Sequence, residues 1–142
     1  MSQRLNNLNT IVAVLKSGAE FYRKASRATG KTELESLFIE HAELREKVAV
    51  ELSELIDEAG HEPAEASTVE QGRAHLTRIG TIFNDRDDTL VSGLEEHEDR
   101  TLAAFREAIQ HRDNERDKPM LESYMQMFQH SHDKMRALKQ AA

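Results

Sequence analysis

The stretch TLVSGLEEHEDRTLAAF, residues 89–105, decides how the chain is read. Leu90, Leu94, Thr101 and Phe105 recur at the spacings that line one face of a helix. Glu98 falls in that same stripe. A carboxylate on the buried side of a helix costs several kcal/mol unless it is paired, hydrogen-bonded or bound to a metal. The remaining helices must therefore supply its partner.

Residues 4–28 carry Leu5, Leu8, Val12, Leu15, Ala19 and Tyr22 on one face, and Gly30 is the expected stop. TELE, Thr32 to Glu35, reads as a capping box, and Leu34, Leu37, His41, Leu44, Val48, Leu52 and Leu55 continue a second helix toward Gly60. GHEPAEA then breaks the pattern. STVE, Ser67 to Glu70, opens a shorter helix through about Asn84. A fourth helix is expected over 87–111, and a fifth from about Pro119 to Lys139, since proline is tolerated in a first turn. The fold class is all-α. Four long helices with a shorter crossover helix between the second and third give a ferritin-like four-helix bundle; a five-helix up-and-down array is the alternative wiring.

Composition agrees with helices and removes whole classes of function. The chain has 142 residues, enough for one domain spanning 1–142, with 32% charged and only 5% aromatic residues. There is no cysteine, so disulfides, zinc–thiolate sites and cysteine nucleophiles are excluded, and a cytoplasmic setting is expected. No apolar run approaches the ~20 residues of a membrane span. With a net charge of −7 and no basic cluster outweighing its acidic neighbours, nucleic acid is not an expected partner.

LEEHEDRTLAAFREAI with Glu95 and Glu98, IEHAELREKVAVEL with Arg45 and Glu51, GRAHL with His75, and HSHDKMRAL with His132 and Asp133 follow in a characteristic order. Together they resemble an uncharacterised bacterial domain-of-unknown-function family of ferritin-like four-helix-bundle proteins, over nearly the whole chain. Ser17 stands where that family usually has the Asp of an Asp-Gly pair, and Arg78 where it usually has a Trp. The resemblance implies a fold but no activity.

Turning each apolar stripe inward brings His41, Glu98, His132 and the hydroxyl of Tyr22 to one height. With ferritin-like wiring, His41 and Glu98 differ by only ~4 Å along the bundle. Glu95 lies one turn from Glu98. Carboxylate plus imidazole suits a divalent metal, iron, manganese or zinc, with Glu98, Glu95, His132 and His41 as ligands and Tyr22 as a supporting hydrogen-bond partner. A metal-dependent oxidoreductase would follow. The alternative is a metal-free module, in which Glu98 pairs with a histidine or Arg45 to fix helix register and the protein meets a partner or itself. A di-iron ferroxidase needs two Glu-x-x-His pairs, but Phe38 precedes His41 and Gln129 precedes His132 at that spacing. Glu20, Glu40 and Glu43 are expected to face solvent.

His130 with Asp133 reads as a solvated pair, and His75 with Arg78 as a surface-turn pair. Met120, Met125, Met127 and Met135 read as core filler. Ile11, Ala13 and Val14, outside the main stripe of the first helix, suit a homodimer face or cover by the crossover helix.

Overall fold

In a computed structural model, the described residues 2–65 and 87–141 contain four long helices. These are α1 (Gln3–Ala28), α2 (Thr32–Glu58), α3 (Asp87–Gln110) and α4 (Lys118–Ala141), the last two joined by a 3-10 turn at Arg112–Asp117. No strand occurs among the described residues, and no helix there is long and apolar enough to cross a membrane. The expected helix at 67–84, with His75 and Arg78, lies outside them.

Helix ends follow local chemistry, with two corrections. Ser2 Oγ accepts from Leu5 N at 3.2 Å and caps α1. TELE is not a capping box: Thr32 is already helical, Lys31 occupies the cap position, and no side chain closes the turn. Gly30 does not make a left-handed stop either. α1 ends through extended Thr29, whose N–H returns to Ala25 O. Gly60, at φ +83°, takes the left-handed role after α2. Pro119 sits in the first turn of α4, where its missing N–H loses no helical bond.

Contacts fix the helix directions. Arg4 and Asn7 at the start of α1 meet Asp117 and Asn114 in the turn after α3, while Tyr22 reaches Glu98, so α1 and α3 are antiparallel. His41 meets Ser131 and Glu51 meets Tyr124, which makes α2 and α4 antiparallel as well. Helices α2 and α3 thus start at the same end. The chain leaving α2 begins its return along α1, where Asn9 Oδ1 accepts from Ala64 N at 2.6 Å and Lys16 Nζ donates to Ala64 O at 2.6 Å.

The core is split in two. Leu8, Leu15, Leu52, Ile56, Phe105, Leu121 and Phe128 belong to one apolar cluster; Phe21, Tyr22, Phe38, Ala42 and Leu94 belong to another. Each fully buried Leu or Phe contributes about 1.5–3 kcal/mol. The buried face of α2 is rotated from the expected stripe: Leu37, Leu44 and Leu55 are half-buried, and Phe38, Ala42, Arg45, Ala49 and Ile56 take the interior. An arginine at the centre of that face hid it. Ile11 is buried in the core and so is no docking residue, while Ala13 and Val14 are half-buried. Met120 and Met125 pack on the core, whereas Met127 is exposed and is not filler.

Candidate functional site

Between the two apolar clusters lies a buried polar layer built by all four helices. Glu98 of α3 is fully buried at its centre. Its Oε1 accepts from Tyr22 of α1 at 2.7 Å and from Ser131 of α4 at 2.8 Å; its Oε2 lies 2.5 Å from Nη2 of Arg45 on α2. Arg45 is itself fully buried, with its guanidinium 4.6 Å from the Tyr22 ring centroid and 5.0 Å from that of Phe128. Nη1 donates to His41 O at 3.1 Å. Two aromatic faces and one carboxylate replace the water that the cation has lost.

Donor counting fixes the state of His41. Ser131 has one hydroxyl proton, which goes to Glu98, so the 2.7 Å contact between Ser131 Oγ and His41 Nδ1 requires the imidazole to donate. The neutral ring then carries its proton on Nδ1, and its buried Nε2 is a lone pair without a partner. Burial first, then the Arg45 charge, lowers the His41 pKa to about 4, against opposing pulls from Glu98 and Glu40. Burial and the charge of Glu98 push the Tyr22 phenol well above its usual range, with Arg45 pulling the other way.

Tyr22, His41 and Glu98 therefore meet as the stripes required, but His132 does not join them. It turns to the α3–α4 edge, with Nε2 2.8 Å from exposed Asp99 and Nδ1 3.7 Å from Asp133. Ser131 takes its expected place. Both lie on the inward side of α4, three and four residues beyond Phe128, and the side chain able to donate to Glu98 holds the central position. Glu95 is half-buried, while Glu20, Glu40, Glu43 and His130 are exposed. Among the described residues, no group of three or more His, Asp or Glu is arranged to hold a metal ion.

Sequence reasoning also missed a second polar cluster at the end of the bundle. Arg4 makes a bidentate pair with Asp117, at 2.9 and 2.8 Å, and Asn114 donates to both Asp117 and Arg4 O while accepting from Asn7 at 2.6 Å. Burial pushes the Asp117 carboxyl up, but the bonds from Arg4 and Asn114 together hold it below its ordinary range. Asparagine at positions 6, 7 and 9, opposite DNERD, was the available signal.

Residues 3–111 match the model of a family described as a domain of unknown function, DUF2383. No curated protein and no solved structure matches the chain. The matched span includes Tyr22, His41, Arg45 and Glu98 but ends before α4, so the likeness is narrower than the motifs suggested, and Ser131 and His132 stand outside it.

Proposed function

The chain belongs to the DUF2383 family, and we propose that it is a metal-free helical interaction module, one domain over residues 1–142 with ferritin-like connectivity, and not an enzyme. One observation carries this reading: Glu98 accepts from two hydroxyls through Oε1, and its Oε2, which has no hydrogen-bond partner, lies in an ion pair 2.5 Å from the Arg45 guanidinium. A dication seated on Glu98 would face the Arg45 charge at close range, in a setting where like charges are poorly screened. Support for the wiring comes from the layer itself, in which side chains of three other described helices converge on one carboxylate, and from the shared starting end of α2 and α3.

Two buried nitrogens without hydrogen-bond partners, His41 Nε2 and His132 Nδ1, favour the second reading, a divalent iron, manganese or zinc site serving redox chemistry. They belong to separate groups, one joined to Ser131 and the other to Asp99. Elemental analysis of protein purified without chelator or affinity tag separates the two, alongside Glu98→Ala and His132→Ala. The module reading expects no stoichiometric metal and a less stable Glu98→Ala protein. Near-stoichiometric metal that both variants lose would replace it with the metal site.

A further inference from the structure

The four described helices form two antiparallel hairpins, α1 with α2 through residues 29–31 and α3 with α4 through Arg112–Asp117. Across the bundle α2 runs parallel to α3, and α1 to α4, so a two-fold axis along the bundle would exchange the hairpins. The buried layer follows that symmetry in position. Tyr22 on α1 and Ser131 on α4 both donate to Glu98 Oε1, and Arg45 on α2 lies opposite Glu98 on α3. The charges break it: the first hairpin brings the cation, the second the anion.

Each hairpin holds its own charge ready. Gly18 on α1 leaves room for the Arg45 stem, since a Cβ there would lie 3.1 Å from Cδ and Nε. The Tyr22 ring and His41 O receive the guanidinium within the same hairpin, while Ser131 donates to Glu98 within the other. Two first hairpins from different chains, paired about that axis, would set Arg45 against Arg45 with no carboxylate; two second hairpins would set Glu98 against Glu98. Like charges meeting away from water disfavour both, whereas one hairpin of each kind is neutral. Apolar burial is non-directional and makes no such distinction. We infer that the Arg45–Glu98 pair is a pairing device: it makes the first hairpin choose the second and excludes bundles assembled from like hairpins of several chains. The inference goes beyond the interaction-module reading and holds whether or not the outer surface meets a partner.

Removing both charges together tests this without stranding either. Arg45→Met with Glu98→Leu leaves an apolar centre, and Arg45→Met with Glu98→Gln keeps an acceptor for Tyr22 and Ser131. Phe38→Leu, which loosens the neighbouring apolar cluster and keeps the pair, is the control. Helical content is followed by circular dichroism, and the size distribution by sedimentation velocity as protein concentration is raised. Both double variants should stay helical while the share of chains in assemblies larger than the wild type's rises by about tenfold or more. If only one of them folds, its distribution decides. The control should keep the wild-type distribution. Helical double variants with that same distribution would overturn the inference, as would an equal spread of sizes in Phe38→Leu. Two double variants that do not fold would overturn it as well, since the pair would then serve stability and not the choice of partner helices.

Discussion

Among the described residues, the arginine–carboxylate pairs Arg45–Glu98 and Arg4–Asp117 differ in how much water they see. Arg45–Glu98 is completely buried between two apolar clusters, while Arg4–Asp117 closes one end, with the Arg4 side chain 20% exposed. In the interior each partner supplies the opposite charge that balances the other, so removing one leaves a stranded charge. At the end, Arg4 is 20% exposed although Asp117 is only 5% exposed, so solvent can hydrate Arg4 when Asp117 is lost. Similar groups thus act as an obligatory layer in one place and as a clasp in the other.

The largest effect should come from Arg45→Met, which strands Glu98 and is expected to lower unfolding free energy by about 3–5 kcal/mol in urea titrations. Acid should find the same region next. His41 has a folded-state pKa of about 4 against 6.5 when unfolded, so the unfolded chain binds its proton first as pH falls. Stability on the order of 3 kcal/mol, fully present above pH 6.5, should be lost between pH 6.5 and 4, and His41→Gln should flatten that slope. Asp117→Asn, at the clasp, should cost only about 1–2 kcal/mol. Its depressed carboxyl pKa places its acid sensitivity lower, where pH falls through the carboxylate range.

Gly18→Ala gives the smallest and most local test. A Cβ there would lie 3.1 Å from Arg45 Cδ and Nε, and Arg45 is held by Glu98 and two rings. Strain of about 1–3 kcal/mol should outweigh the ~1 kcal/mol gained in helix propensity, for a net loss of about 1 kcal/mol in thermal or urea melts. Gly30→Ala, where an added Cβ meets nothing within 4 Å, is the matched control.

The layer was partly legible because an acid in an apolar stripe breaks a simple rule, and stripe geometry then brought Tyr22 and His41 to its height. Arg45 was named only as an alternative partner, because an arginine reads as surface until a carboxylate and aromatic faces are known to surround it. Ser131 was not legible beside His132: both lie near the inward side of α4, and only three-dimensional placement shows which donor reaches Glu98. The end clasp depended on contacts more than a hundred residues apart in sequence, for which periodicity carries no signal. The bodies of the four described helices were readable, but the start of α2 was not, because a cap depends on backbone geometry one residue either side of the motif.

The most direct measurement is a double-mutant cycle over Arg45→Met and Glu98→Leu, following urea unfolding of the wild type, both single variants and the pair. If Glu98 is balanced by Arg45, each single change loses about 3–5 kcal/mol and the double variant recovers most of that loss, since no buried charge remains. Additive losses, with the double variant less stable than either single one, would mean that Glu98 answers to another partner and would contradict the charge-paired layer.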